Sequence, residues 1–132
     1  GLGVVGWWEN GFRHMTNNVQ PIQKPEDLDG LKMRTPVSVT RMEMFKLMGA
    51  NPAPLAFTEG FPALQTGAFD GQENPLTNIT GANFQEVQKH LSLTGHVYSP
   101  TYLTTGLQTW NALPDDVKSA VSSVAASRYS RP

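Results

Sequence analysis

The pattern of apolar and polar residues predicts short strands at 4–8 and 12–16, on either side of the Asn10-Gly11 turn signal. Residues 92–98 alternate with a two-residue period, which predicts a strand, and Pro100 separates it from a second strand candidate at 102–109. The sequence therefore predicts four separate short strands in these two regions.

A helical period is clearest from Val37 to Met48, where apolar residues recur every three or four positions and Gly49 ends the segment. This pattern predicts an amphipathic helix with a broad buried face. Further helical segments are predicted at 24–30, 58–65, 84–91 and from Leu113 onward, with the inner stripe of the last helix at Val117, Val121 and Val124. Short extended segments are predicted at 31–35 and 69–73. Alternating strands and helices indicate an α/β fold with a mostly parallel sheet.

Ligands bind such sheets beyond the carboxyl ends of the strands, where the sequence places three candidate groups. Arg34 ends one predicted strand, and its planar guanidinium suits two parallel hydrogen bonds to a carboxylate, although most arginines are surface residues paired with an acid. Asn74 ends the polar run 70–75 and offers one acceptor and two donors. A local Asx-turn explains that run equally well. Phe57, Trp7 and Trp8 fit either a pocket wall or the core.

The composition and the absence of known motifs argue against several other functions. The net charge of -1, spread along the chain, gives no basic surface for nucleic acid, and the absence of Cys excludes thiolate chemistry. The three histidines lack metal-ligand spacing, and the common catalytic and nucleotide-binding motifs are absent. Asp70 and Glu73 lie three residues apart in an extended segment, so they are predicted to face opposite sides rather than form a catalytic pair.

Four motifs in this order and at these separations resemble one protein family. They are Asn10-Gly11-Phe12-Arg13, Asp27-Leu28-Asp29-Gly30-Leu31-Lys32-Met33-Arg34, Gly49-Ala50-Asn51-Pro52 and Asp70-Gly71-Gln72-Glu73-Asn74-Pro75. The chain is similar to the solute receptors of tripartite ATP-independent periplasmic (TRAP) transporters, and the last motif is the most specific. The similarity continues through 84–91 to Leu113-Pro114 and so covers nearly the whole chain.

The resemblance implies an α/β, two-lobed periplasmic-binding-protein fold that closes on its ligand around hinges. Family chains are longer, so the sequence is expected to be a piece that holds most of the second lobe and a returning piece of the first. By this analogy, residues 1–9 end the first lobe and enter the hinge, 10–99 form the second lobe, and 100–132 return to the first lobe. The expected location is the periplasm, with the signal segment outside this chain.

The resemblance also implies roles for four side chains. Arg34 is expected to form the main ion pair with the ligand carboxylate, Asn74 to hydrogen-bond the ligand, Phe57 to pack on it, and Arg13 to add a second positive contact. Two departures, the Gly60-Phe61-Pro62 segment and Val37, leave the recognition of the rest of the ligand open.

The expected function is a receptor that binds a small organic acid and delivers it to the membrane subunits of a TRAP transporter, with no cofactor, metal or catalysis. Two alternatives are kept. One is a carboxylate-processing enzyme that uses Asp70 or Glu73 as a base, and the other is a sensor or scaffold lobe of the same fold.

Overall fold

The computed structural model describes residues 1–129, which form five strands and five α-helices. The strands are β1 (Leu2–Asn17), β2 (Lys32–Thr35), β3 (Asn51–Pro54), β4 (Gly71–Pro75) and β5 (His90–Gly106). The helices are α1 (Val39–Leu47), α2 (Gly60–Gln65), α3 (Leu76–Gly81), α4 (Leu107–Ala112) and α5 (Asp115–Tyr129). Short 3-10 turns lie at Pro25–Leu28, Phe57–Glu59 and Phe84–Glu86.

The strands form one mixed sheet in the order β3-β2-β4-β1-β5. Strand β2 is parallel to both β3 and β4, whereas β1 runs antiparallel to β4. The α/β prediction is confirmed, but the prediction of a mostly parallel sheet is correct for β3-β2-β4 and wrong at β1.

The predicted breaks at Asn10-Gly11 and Pro100 are wrong, because β1 and β5 pass straight through them. Gly11 adopts a φ of 100° within β1, which a glycine accepts without reversing the chain. Pro100 lacks an N–H group, but its fixed φ suits an extended chain. The helix predicted at 84–91 is also wrong, since its 3-10 turn ends at Glu86 and β5 begins at His90. The strand predicted at 102–109 gives way to α4 at Leu107.

The chain divides into two compact units, Phe12–Tyr98 and a second unit that joins Gly1–Gly11 to the segment from Ser99 onward. Among residues 1–129, no helix has both the length and the apolar content that crossing a membrane requires.

Helices and loops cover both faces of the sheet within unit Phe12–Tyr98. One buried cluster surrounds α1 and consists of Met15, Ile22, Leu28, Leu31, Met33, Phe45 and Ala50. A second consists of Leu64, Ile79 and Phe84. Successive strand residues point to opposite faces, so Met33 lies in the first cluster and Arg34 faces the other side.

The buried faces of α1 and α5 are narrower than their sequence patterns predict. In α1 Phe45 is fully buried, whereas Val39 and Leu47 are exposed, so the broad apolar face predicted there is wrong. In α5 Ala125 is buried, while Val117 and Val124 are exposed and therefore do not form the predicted inner stripe. A side chain at Gly6 would collide with Ala125, and Trp8 Nε1 donates to the Ala125 carbonyl at 3.1 Å. This close backbone contact turns the small residue inward instead of the valines.

The glycine of the 70–75 motif lies where β1 and β2 flank β4 closely. A Cβ atom at Gly71 would lie 2.7 Å from Asn17 Cβ and 3.0 Å from Met33 Sδ, which is too close for packed atoms. Replacing Gly71 with Ala is therefore expected to lower the free energy of unfolding by about 2–3 kcal/mol, as measured by urea denaturation of the full-length protein. Gly81→Ala is the control, because no atom lies within 4 Å of the added Cβ. Equal losses in the two variants would contradict this explanation.

Candidate ligand-binding site

Glu73, in β4, is the centre of a buried ion cluster. Its carboxylate is fully buried and forms hydrogen bonds or ion pairs with three side chains. Arg13 Nη2 lies 2.9 Å from Oε1, Arg41 Nη1 lies 3.3 Å from Oε2, and His96 Nε2 lies 3.1 Å from Oε2. We call these four residues the Glu73 cluster.

The antiparallel register of β1 and β4 places Arg13 beside Glu73. His14 pairs with Asn74 and Met15 with Glu73, so Arg13 reaches the end of β4. Its Nε and Nη2 atoms contact the Glu73 carboxylate, and Nη2 also donates to the Glu73 carbonyl at 2.7 Å and to Asn74 Oδ1 at 3.0 Å. Arg13 therefore links the Glu73 carboxylate to the side-chain amide of Asn74.

The environment of Glu73 keeps its carboxyl group ionised. Burial would raise the pKa of Glu73, but the hydrogen bond from His96, the hydrogen bonds and charge of Arg13, and the charge of Arg41 together lower that pKa below its usual value. A carboxylate in this state is a weak base. Its main effect is to hold cationic side chains in place.

Arg34 lies at the carboxyl-terminal part of β2 and is 2% exposed. Its Nε and Nη2 atoms donate to the Leu55 carbonyl at 2.9 and 2.6 Å, which fixes the orientation of the guanidinium. Among residues 1–129, no carboxylate lies within ion-pair distance of Arg34, and its Nη1 atom has no hydrogen-bond partner. Burial lowers the pKa of Arg34, an effect that the charge of Glu73 opposes and that of Arg13 reinforces.

Phe57 lies beside Arg34, in the 3-10 turn Phe57–Glu59. The Arg34 Cζ atom is 5.9 Å from the centroid of the Phe57 ring, within the range of a cation–π contact. The ring also packs edge-on against Phe84, at a centroid distance of 5.5 Å, and remains 41% exposed. An aromatic face thus stands next to the cation, with its own position fixed by the core.

A chain of amide and hydroxyl groups connects Asn74 to β1. Asn74 Nδ2 donates to Gln72 Oε1 at 2.6 Å, and Gln72 Nε2 donates to Thr16 Oγ1 at 2.8 Å. Arg34 and Gln72 are register partners in parallel strands, so they share a face of the sheet. The Gln72–Thr16 bond joins β4 to β1, whereas the Asn74–Gln72 bond lies within β4. Residues 71–75 form a strand, so the local Asx-turn interpretation of the 70–75 run is wrong.

Asp70 takes no part in this arrangement. Its Oδ2 atom accepts from the Lys32 backbone N–H at 2.8 Å, at the start of β2, whereas Glu73 is turned toward Arg13. In the described part of the chain, no group of three or more His, Asp or Glu residues is arranged to hold a metal ion.

Comparison with known proteins identifies the family. Residues 1–130 match the family model "Bacterial extracellular solute-binding protein, family 7". The chain belongs to this family.

Three relatives within family 7 illustrate the match. A solute-binding protein of Verminephrobacter eiseniae is 48% identical over 86% of this chain and 34% of its own length. The 2,3-diketo-L-gulonate-binding periplasmic protein of Escherichia coli K12 is 42% identical over 99% of this chain and 40% of its own. A TRAP periplasmic solute-binding protein of Polaromonas sp. JS666, solved with D-erythronate, is 46% identical, with a TM-score of 0.92 over 98% of this chain and 43% of that one. The chain thus spans about two fifths of the length of such proteins.

The family-7 fold brings the four residues singled out in the sequence together in two pairs. Arg34 and Phe57 are in contact, and Arg13 and Asn74 are hydrogen-bonded. The sequence pattern did not indicate Arg41 or His96, and it suggested Glu73 as a candidate base rather than as a structural anion. Arg41 is one of the polar residues in the amphipathic pattern of α1, and nothing in that pattern distinguishes it from the others. A charged residue in an otherwise buried strand such as β4 was the available signal for Glu73, since buried acids require cationic partners.

Proposed function

We propose that this chain forms the ligand-binding part of an extracytoplasmic solute receptor that takes up a small hydroxylated carboxylic acid and passes it to the membrane subunits of a TRAP-type transporter. The observation that carries the proposal is Arg34, a buried guanidinium that has no carboxylate partner in residues 1–129. A buried cation is costly unless an anion pairs with it. A ligand carboxylate supplies that anion, and the unused Nη1 donor of Arg34 supports this role.

The class of acid is supported by the relatives. The Escherichia coli protein is described as binding 2,3-diketo-L-gulonate, and the Polaromonas structure holds D-erythronate. Both compounds carry one carboxylate and several further oxygen atoms on a short carbon chain. We propose the same class of sugar acid for this chain.

We propose that the other predicted residues complete the site. Asn74 has an Nδ2–H group left for the ligand after donating to Gln72, because an amide nitrogen carries two hydrogens. Phe57 offers its exposed ring to the carbon chain of the acid. Arg13 contributes positive charge and keeps Asn74 oriented.

We further propose that unit Phe12–Tyr98 is the second lobe of the receptor, close to the span 10–99 expected from the sequence. Segments 1–9 and 100–132 then belong to the first lobe and the hinge. The receptor works in the periplasm, where the Escherichia coli and Polaromonas relatives are described as acting.

Catalysis is the less favoured function because neither candidate base is free to act. The Asp70 carboxylate accepts a hydrogen bond from the Lys32 backbone N–H, and the Glu73 carboxylate forms an ion pair with Arg13. Binding without turnover needs neither group as a base.

A ligand panel tests the proposal on the full-length protein. D-erythronate and D-galactonate are expected to raise the melting temperature by about 5 °C or more at saturating concentration, because a ligand that binds the folded state stabilises it. Erythritol and galactitol, which lack the carboxylate, serve as controls and are expected to have no effect. Mass spectrometry after incubation should recover each acid unchanged. Stabilisation by the polyols, or conversion of the acids, would contradict the proposed function.

A further inference from the structure

We propose that Arg41 is a second guanidinium that contacts the ligand, donating hydrogen bonds to hydroxyl or keto oxygens of the acid while Arg34 binds its carboxylate. This inference rests on the proposed function and identifies a specificity-determining residue for it.

The position of Arg41 follows from the connection between β2 and α1. Arg34 lies near the end of β2, and the chain enters α1 through the cap residue Ser38, whose Oγ accepts from the Arg41 backbone N–H at 3.4 Å. Arg41 is therefore in the first turn of the helix that begins where β2 ends. Arg34 and Arg41 come from opposite faces of the sheet, but both lie at the carboxyl-terminal edge of the parallel strands, where α/β folds bind ligands. The two faces meet at this edge, because Arg13 Nη2 contacts both Glu73 and Asn74.

Hydrogen-bond donors are distributed unequally between the two arginines of the Glu73 cluster. Arg13 uses Nε and Nη2 for the Glu73 carboxylate, the Glu73 carbonyl and Asn74. Arg41 makes one bond, from Nη1 to Glu73 Oε2 at 3.3 Å, and no other partner of its guanidinium is found in residues 1–129. A guanidinium carries five N–H groups, so most of those of Arg41 remain available. Its side chain is also 17% exposed, compared with 9% for Arg13.

The charge of Arg41 is only partly compensated. Its ion pair is with Glu73, whose single carboxylate is shared with Arg13 and His96. Burial lowers the pKa of Arg41, the charge of Glu73 opposes that effect and the charge of Arg13 adds to it. When Arg34 binds the ligand carboxylate, the Arg41 guanidinium favours the other electron-rich oxygens of the acid, to which charge-assisted hydrogen bonds are strong.

The binding of two acids with equal carbon-chain length distinguishes a ligand-contacting role of Arg41 from a structural role. In the full-length protein, Arg41→Gln is expected to weaken D-erythronate binding about tenfold or more, the range for losing hydrogen bonds to a charged group. Binding of butyrate, which has the same carbon chain without hydroxyls, should change less than about twofold. Titration calorimetry measures the affinity for D-erythronate, and displacement of D-erythronate measures the affinity for butyrate. Arg41→Lys keeps the charge but loses the planar fork, so an intermediate affinity for D-erythronate is expected.

Lys46→Gln is the matched control, because Lys46 is exposed on the same helix, pairs with Glu43 and carries the same charge. It should leave both affinities unchanged. An equal loss for both acids, together with a lower melting temperature of the ligand-free protein, would show a structural role for Arg41 and overturn the inference. Unchanged D-erythronate binding in Arg41→Gln would also overturn it. If the wild-type protein binds a carboxylate of another class but not D-erythronate, the inference on Arg41 is overturned and the receptor function is not. If it binds no carboxylate, both are overturned.

Discussion

Replacement of Arg34 with Met in the full-length protein is expected to weaken the binding of its carboxylate ligand by about thirtyfold or more. The guanidinium is buried and held by the Leu55 carbonyl, so the ligand anion would lose a preorganised, desolvated partner. Truncating one partner of such a charge pair usually costs at least 2 kcal/mol, and often more. Titration calorimetry with D-erythronate or D-galactonate measures the effect. The fold should persist, because the change also removes an unpaired buried charge.

Lys32→Met is the control for Arg34→Met. Lys32 lies two residues earlier on β2, on the same face of the strand, and its side chain is exposed. Removing its charge should leave the affinity within about twofold of the wild type if long-range charge is screened by salt. The assignment of Arg34 fails if both variants lose affinity equally, or if Arg34→Met binds as tightly as the wild type and shows the same circular dichroism.

Replacement of Glu73 with Gln is expected to lower the free energy of unfolding by about 3–5 kcal/mol at neutral pH. The variant leaves Arg13 and Arg41 next to each other without their shared anion, and uncompensated buried charges carry penalties of this size. Urea denaturation followed by circular dichroism measures the loss. Glu43→Gln, which removes a carboxylate from an exposed pair on α1, is the control and should cost less than about 1 kcal/mol.

The effect of Glu73→Gln should depend on pH with a defined sign. The folded-state pKa of Glu73 lies below its usual value of 4.5, so the ionised carboxylate stabilises the fold fully above that usual value. This stabilisation is lost as the pH falls from 4.5 through the lowered pKa of the folded state. The difference in unfolding free energy between wild type and variant is therefore expected to be largest near pH 7 and to shrink in acid. A difference that stays constant or grows below pH 4.5 would contradict the ion-cluster assignment.

Local sequence signals predicted the fold class, β2, the helix around α1 and the ends of several helices. They failed where pairing between distant strands decides the structure. The turn signal at Asn10-Gly11 is locally strong, but pairing of β1 within the five-stranded sheet keeps the chain extended. The width of the buried face of α1 depends on what packs against it, which periodicity alone does not determine.

The candidate site shows the same contrast between local sequence signals and contacts between distant segments. Arg34 and Asn74 were singled out because each lies where a strand ends, next to Pro or a polar run, and the family resemblance then implied their roles. The Glu73 cluster was not predicted, because Arg13 and Glu73 are sixty residues apart and meet through the antiparallel register of β1 and β4. His96 joins the cluster from β5, 23 residues after Glu73. Such contacts follow from strand order, which the sequence pattern did not give.

A crystal structure of the full-length protein with D-erythronate or D-galactonate tests directly whether Arg34 binds the ligand carboxylate. We expect the carboxylate oxygens of the acid to lie within hydrogen-bond distance of the Arg34 guanidinium, with the Leu55 carbonyl still accepting hydrogen bonds from Nε and Nη2 of that group. A carboxylate bound elsewhere, with Arg34 paired to an acidic side chain of the protein, would contradict it.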